Sequence, residues 1–450
     1  MLWTASVSFR DAQRLSAKDG SRNIRGKARA GPFIAASLDR MLPDRSTISA
    51  YLTILSGSAG RLVISLVYFL IVANTLTLGE FGLFATASAT GMILSRLLAF
   101  GFVSPLYRVA TVKPRLLGAY AAGFAWLMLL SLPLIALVAA AAYLALFAGR
   151  LALSSFVLIM LAEIFGWRLV EVVAIVNNGL RRFRQAATLV IIGSSLRTVA
   201  AVLFWLFGQA SLAVWAWSYL ASTLVTALLA LLVFMPRQRW RFVKRLYPRR
   251  MADAVYAGAA DIVFYIQAEL DKLLVLGLAG ERTAGLYAIA MRVIDLTAMP
   301  VRSFNQMLVQ KIMQQRGLGG GAGRHALVEA GIALISIGGL AAIILLLQPF
   351  PGLLGRNVAQ AAFLFLPMLA IPAFRNLVEY HAELLYAREL TGSRIALLCA
   401  LTALKAALIT WVMTRFAADD GWVIWLNAVF GAIYLVSALA TYRLLGRAAR

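Results

Sequence analysis

Long apolar runs constrain this chain more than any other feature of its sequence. A helix of about 20 apolar residues spans the hydrocarbon core of a bilayer. Apolar residues make up 62% of the 450 residues and charged residues 14%, whereas soluble domains have about 45–50% and about 25%. This comparison excludes a soluble enzyme and predicts an all-α polytopic membrane protein with twelve transmembrane helices. The twelve segments lie at roughly 50–74, 82–107, 116–147, 151–177, 185–207, 211–235, 252–278, 284–310, 325–349, 359–386, 392–414 and 421–442.

Positive charge gives the predicted orientation of these spans. The net charge is +24, and a nucleic-acid-binding protein could carry it, but not together with a mean hydropathy of +0.82. With the N-terminus placed in the cytoplasm, the inner segments hold thirty Lys and Arg residues and the outer loops hold four. Cytoplasmic loops are enriched in Lys and Arg. We therefore expect both termini in the cytoplasm, an even number of spans and no nucleic-acid partner.

Three regions follow from the same pattern. Residues 1–49 are polar and basic, lack the apolar core of a signal peptide, and are predicted to be a disordered cytoplasmic tail. Translation from Met41 is the alternative, in which case residues 1–40 are not part of the natural protein. The longest basic loop, 236–250, divides the spans into an N-lobe (50–248) and a C-lobe (249–450).

A short repeat relates the two predicted lobes. LGEFGLFA, Leu78–Ala85, follows the first span, and AGERTAGLYA, Ala279–Ala288, follows the seventh. Both contain Gly-Glu and then Gly-Leu-aromatic-Ala in an outer loop that leads into the next span. Because both lobes begin inside, the pattern predicts a parallel repeat with its pseudo-axis along the membrane normal.

Charged residues inside the spans form a second informative set. An ionisable group at mid-bilayer costs at least about 2.5–3.5 kcal/mol on insertion scales, so these groups should face the bundle interior, water or each other. Helical spacing predicts four pairs on single helices: Arg168–Glu171, Glu269–Lys272, Arg292–Asp295 and Arg375–Glu379.

Some cations have no acid in their own span. Arg61, Arg96 and Arg197 lie in the N-lobe, and Lys405 lies in span 11, with Arg375 at similar depth in span 10. Guanidinium groups bind phosphate through paired hydrogen bonds, so these five residues are the candidate substrate-binding set for a bulky anion. The alternative is pairing with acids of neighbouring helices.

Buried carboxylates can also exchange protons. Asp261 lies near the middle of span 7, and Asp271 follows on the same span. These two residues are the candidate ion-coupling site, with ordinary ion pairing as the alternative.

Enzyme and metal signatures are missing. The chain has one cysteine, Cys399, two histidines, His325 and His381, and no Walker A motif. A cysteine-based zinc site is excluded, and a histidine-based metal site has little support. We expect no enzymatic activity, no cofactor and no metal.

Two stretches resemble a known family. Gln267–Ile294 and Leu78–Ala89 are similar to the bacterial polysaccharide repeat-unit flippases, the O-antigen and exopolysaccharide members of the multidrug/oligosaccharidyl-lipid/polysaccharide (MOP) exporter superfamily. The positions that carry the likeness are Asp271, Gly285, Tyr287, Ala290 and Arg292 in the second half, and Glu80, Phe81 and Gly82 in the first.

The resemblance implies two six-helix lobes in a V around a central cavity. It also implies transfer of undecaprenyl-pyrophosphate-linked oligosaccharide from the cytoplasmic to the periplasmic leaflet of the bacterial inner membrane. Membrane lipids, a polysaccharide polymerase and a chain-length regulator are the further partners that it suggests. The alternatives are an ion-coupled drug antiporter of the same superfamily and a membrane-bound glycan polymerase or glycosyltransferase.

Overall fold

The computed structural model describes residues 60, 62–314, 322–350, 352–417 and 421–448, and within them it contains helices and loops but no β-strand. The tail 1–49 and Arg61 lie outside the described residues. The helices are α1 (Leu62–Thr75), α2 (Leu78–Leu94), α3 (Val103–Val112), α4 (Leu117–Ala142), α5 (Leu153–Leu161), α6 (Arg168–Gly179), α7 (Phe183–Phe207), α8 (Leu212–Leu229), α9 (Leu246–Gln314), α10 (Ala322–Leu347), α11 (Arg356–Ala361), α12 (Ile371–Ala387), α13 (Thr391–Phe416) and α14 (Trp422–Ala448).

Seven helical segments of the described residues are long and apolar enough to cross a membrane. The predicted all-α polytopic fold is therefore confirmed, while the number of twelve spans and the lobe boundaries remain predictions. The other predicted spans are short, broken or rich in charge. For example, α5 and α6 join through a π-helical turn, Ala162–Trp167, and carry Glu163, Arg168 and Glu171.

A capping box explains the glutamate of the first repeat motif. The Glu80 backbone N–H donates to the Thr77 hydroxyl, and the Thr77 N–H donates to the Glu80 carboxylate at 3.1 Å. This reciprocal pair satisfies two N–H groups that a helix start leaves unpaired. The second carboxylate oxygen of Glu80 accepts from the Leu212 N–H at 3.0 Å, so one side chain caps α2 and ties it to the start of α8.

The chain reverses within α9. Gly280 has φ +84° and interrupts the helix. The Tyr287 hydroxyl donates to the Asp271 carboxylate at 2.6 Å across this turn, so the two arms of α9 run back along each other. The arms correspond to the predicted spans 7 and 8.

The two repeat motifs pack against each other. A Cβ at Gly82 would lie 2.4 Å from the Glu281 carbonyl oxygen, and one at Gly285 would lie 2.0 Å from the Leu78 carbonyl oxygen. Close by, the Asn357 amide donates to the Ala73 and Leu76 carbonyls, each at 2.7 Å. These contacts bring the helix ends near Leu76, Gly82, Glu281 and Asn357 together, and we call this region the closed end.

A second close approach joins α9 to a break after α2. Ala99 and Phe100 have φ +53° and +50°, and Gly101 has φ +77°. A Cβ at Gly101 would lie 2.6 Å from the Gly258 Cα. Because neither glycine has a side chain, the two backbones meet directly.

Candidate functional site

A cavity of about 290 Å³ lies between α9, α12, α13 and α14, and Glu171 of α6 contributes to its wall. Lys405, at its inner limit, is 3% exposed, whereas Arg302, nearer the mouth, is 36% exposed. Tyr256 and Arg394 also line it. The cavity thus leads from a partly exposed guanidinium to a buried amine.

Ion pairs between helices line this cavity. Their partners come from α9 and α12 or from α12 and α13, and an unpaired buried charge would cost several kcal/mol. The pairs are Arg375–Asp295 at 3.2 Å, Arg302–Glu379 at 3.0 Å and Arg394–Glu383 at 3.0 Å. The cavity is therefore charge-paired, and its lining contains Asp261 as a further acid.

Two of the four predicted same-helix pairs are confirmed: Arg168–Glu171 at 2.8 Å and Glu269–Lys272 at 2.5 Å. The pairs Arg375–Glu379 and Arg292–Asp295 are corrected. Arg375 reaches across the cavity to Asp295, and Arg292 donates to the Ser65 hydroxyl. Facing helices offered closer partners than the next turn of the same helix.

Lys405 and Asp271 form a buried pair at the inner limit of the cavity. Their charged atoms are 3.1 Å apart, and the side chains are 3% and 1% exposed. Lys405 also donates to the Gln267 carbonyl oxygen at 2.7 Å, and Asp271 accepts from Tyr287. Lys405 therefore has the acid from a neighbouring helix that the alternative interpretation anticipated.

Arg96 lies behind the cavity wall. Its guanidinium donates to Glu171 at 2.9 Å and stacks 3.8 Å from the ring centre of Tyr265. Both of these partners line the cavity, and Arg168 shares the Glu171 carboxylate. Arg96 thus connects the wall of the cavity to α9 rather than lining it.

Arg197 lies in an aromatic setting away from this cavity. Its guanidinium is 3.9 Å from the Trp167 ring centre and 5.5 Å from that of Tyr68. Of the five predicted substrate-binding residues, Arg375 and Lys405 line the cavity, Arg96 and Arg197 are absent from its lining, and Arg61 lies outside the described residues. Asp261, of the predicted ion-coupling residues, lines the cavity as well.

Six charged residues of the cavity lining were missed as site candidates: Glu171, Asp295, Arg302, Glu379, Glu383 and Arg394. The signal was available in α12, where Arg375, Glu379 and Glu383 recur at intervals of four. Residues so spaced share one helix face, and such a face in an apolar helix indicates a polar cavity. Arg394 lies on the next helix, so its ion pair with Glu383 could not be predicted from spacing within one helix.

A family model described as polysaccharide biosynthesis protein matches residues 49–309. The chain belongs to this polysaccharide biosynthesis family. No curated protein matches it significantly. Among solved structures, this family member is similar to an inward-facing and an outward-facing multidrug resistance MATE transporter of the MOP superfamily. The inward-facing one has a TM-score of 0.64, 15% identity and coverage of 87% of this chain and 97% of the other. The outward-facing one has a TM-score of 0.61, 14% identity and coverage of 88% of this chain and 94% of the other.

A MOP superfamily transporter from Pyrococcus furiosus, whose binding pocket is described as having reversed polarity, also matches the family member. Its TM-score is 0.52 at 14% identity, with coverage of 89% of this chain and 94% of the other. At these identities the likeness shows the fold. The chain thus has the fold of these transporters, which agrees with the expectation that this multi-pass membrane protein is not an enzyme.

Proposed function

We propose that this protein flips undecaprenyl-pyrophosphate-linked oligosaccharide repeat units from the cytoplasmic to the periplasmic leaflet of the bacterial inner membrane, for surface polysaccharide biosynthesis. The observation that carries the proposal is the presence of Arg375 and Lys405 in the cavity of a chain from the polysaccharide biosynthesis family. Phosphate-binding groups inside a cavity between transmembrane helices suit a cargo with a charged head and a lipid tail. The head can enter the cavity while the tail remains in the bilayer.

Ion-pair exchange explains how a charge-paired cavity would take up an anion. At rest, Asp295 neutralises Arg375, and Asp271 neutralises Lys405. A pyrophosphate offers several oxygens, and a planar guanidinium binds such a group through two parallel hydrogen bonds. The cargo would replace Asp295 at Arg375, so its binding breaks a contact between α12 and α9. Binding energy is thereby linked to helix movement.

The proposed cycle is alternating access. The excess of Lys and Arg in one set of loops would place the closed end on the periplasmic side. The cavity would then open towards the cytoplasm, where the lipid-linked units are made. Transport would require the closed end to separate, with the two lobes rocking around the cavity.

An ion gradient or the membrane potential would drive the cycle. The potential supplies about 2.3 kcal/mol per elementary charge per 100 mV. Asp261, in the cavity wall, remains the proposed ion-coupling residue. Asp271 belongs to the same proposal, in which an ion would compete with Lys405 for its carboxylate.

The decisive experiment is deletion of the gene, with measurement of surface polysaccharide and of the leaflet location of lipid-linked units. We expect loss of polymer with intact units retained on the cytoplasmic face. Complementation with Arg375→Gln should fail at normal expression, whereas Arg356→Gln should restore export because Arg356 is exposed at the start of α11 and does not line the cavity. Single units on the periplasmic face would instead indicate a polymerase and contradict the proposal.

A drug antiporter is the second candidate. The carboxylates of Asp261 and Glu383 line the cavity and could bind a cationic drug, and the fold is shared with multidrug resistance MATE transporters. This function predicts increased drug susceptibility on deletion, with normal surface glycan.

A further inference from the structure

Both histidines of the chain lie in one polar cluster, on the side of α12 that faces away from the cavity. The cluster joins α10, α12 and α14, and it is separate from the cavity lining. Its members, which we call the histidine–glutamate cluster, are His325 and Glu329 from α10, Tyr380 and His381 from α12, and Tyr434, Ser437 and Tyr442 from α14.

Glu329 is the acceptor at the centre of this cluster. Its carboxylate lies 2.9 Å from His381 Nε2 and accepts from the Tyr434 hydroxyl at 2.8 Å. The Tyr442 hydroxyl donates to the same carboxylate. Its partners are therefore an imidazole and two phenols, in contrast to the Lys and Arg partners of Asp271 and Asp295.

The surroundings of His381 suit both of its protonation states. The side chain is fully buried, with Nε2 at Glu329 and Nδ1 3.0 Å from the Ser437 hydroxyl oxygen. A hydroxyl group donates or accepts by rotation. When His381 is neutral, Ser437 donates to Nδ1, and when His381 is charged, Nδ1–H donates to Ser437. A proton can bind or leave while every hydrogen bond of the ring is kept.

The position of α12 connects this site to the cavity. Tyr380 and His381 face the cluster, while Arg375, Glu379 and Glu383 on the opposite face line the cavity. Arg375 and Glu379 pair with Asp295 and Arg302 of α9. Any movement of α12 towards α10 and α14 therefore strains ion pairs inside the cavity.

The charged and titratable groups around α12 divide between its two faces. The cluster face meets Glu329 and His325 of α10 and Tyr434 and Tyr442 of α14. The α9 residues in the apolar cluster that contains Tyr380 are uncharged: Val301, Phe304 and Leu308. The cavity face meets Arg302 and Asp295 of α9 and Arg394 of α13.

We infer that the Glu329–His381 pair binds the proton that drives the transport cycle and transmits its occupancy to the cavity through α12. Protonation of His381 converts the α10–α12 contact into an ion pair, which is strong in a medium of low dielectric constant. The helices are held together more tightly when the proton is bound and less tightly when it leaves. The inference rests on the proposed alternating-access function. It identifies the coupling ion as a proton and adds a binding site for it outside the cavity, besides the carboxylates of Asp261 and Asp271 proposed above.

The test uses the full chain in nanodiscs without any cargo lipid. Cys399, an exposed free cysteine, is replaced by serine, and spin labels are attached through Phe207→Cys and Leu353→Cys, which are exposed positions near the closed end. We expect the distance distribution to shift with pH. Glu329→Gln and His381→Asn should abolish the shift. Glu389→Gln is the matched control and should retain it, because Glu389 is exposed and lies outside the cluster.

A second measurement follows His381 directly, so that the test does not depend only on variants that can misfold. Because the chain has two histidines, isotope-labelled histidine gives two side-chain signals, and His325→Asn assigns them. We expect the His381 signal to titrate over the pH range in which the label distance changes. A pH-independent distance, an unresponsive His381 signal, or a shift that persists in both Glu329→Gln and His381→Asn overturns the inference. The measurement needs no cargo, so a positive result together with unchanged glycan export would overturn the proposed cargo alone.

Discussion

Gly82 and Gly285 lie against each other with no side chain between them. A Cβ at Gly82 would be 2.6 Å from the Gly285 backbone nitrogen, so the two repeat motifs contact through their backbones. This contact gives the Gly-Leu-aromatic-Ala repeat a structural role, since each copy supplies the glycine against which the other packs. It is also the contact that must break if the closed end opens.

The first prediction concerns this contact. Gly82→Ala should force the closed end apart, because the new methyl group would overlap the Glu281 carbonyl oxygen. Overpacking of this kind costs about 1–3 kcal/mol. Spin labels at positions 207 and 353 should report a larger separation, and export should fall. Gly338→Ala, at a helical position with open space around the Cβ, should leave the label separation and export unchanged. Equal effects of the two substitutions would contradict the role of the Gly82 contact in holding the closed end together.

The second prediction concerns Asn357, which is 2% exposed. Asn357→Ala removes two amide donors and leaves the Ala73 and Leu76 carbonyls unpaired. Each buried unpaired group costs about 1–3 kcal/mol, so we expect a lower melting temperature and a more open closed end. Gln360→Ala, at an exposed position of the same helix, α11, provides the control. A melting temperature for Asn357→Ala equal to that of Gln360→Ala would show that the Asn357 hydrogen bonds do not stabilise the closed end.

The third prediction separates stability from transport at Lys405. Lys405→Met leaves Asp271 buried without its cation, which costs about 3–5 kcal/mol. The double substitution Lys405→Met/Asp271→Asn removes both charges and should recover much of that loss, as a double-mutant cycle would show. Glycan export should stay low in the double variant if Lys405 binds the cargo. Recovery of export along with stability would assign Lys405 a purely structural role.

The fourth prediction tests the cap at Glu80. Glu80→Ala removes the capping box and the bond from Leu212, and loss of a helix cap costs about 0.5–2 kcal/mol. Glu80→Gln preserves the size and can still cap, so it should be the milder change. Thermal unfolding of the two variants measures the difference. Equal melting temperatures would show that the cap contributes little.

Features that depend on local sequence could be predicted. Apolar run length predicted the membrane fold. The repeat at Gly82 and Gly285 marked corresponding positions, although both motifs were expected in outer loops and the structure has them in helices, at the start of α2 and just after the break in α9. The Arg168–Glu171 pair followed from helical spacing. Each of these properties is set by residues close together in the chain.

The partners of the charged residues could not be predicted in the same way. Lys405 pairs with Asp271, which is far away in the sequence, and Arg96 contacts Tyr265 of α9. Such pairs depend on which helix faces meet, and composition counts within one lobe do not contain that information. For this reason the sequence predicted a set of cations for a bulky anion, whereas in the structure acids of other helices pair with Arg375 and Lys405.

The contact between Gly101 and Gly258 has a mechanical consequence. Most helix contacts interlock side chains, so rotation of one helix must first separate the ridges of one from the grooves of the other. At this point two bare backbones touch, and the helices can rotate against each other with little change in packing. The contact can therefore stay in place as a pivot point while the distant ends of the helices exchange their neighbours.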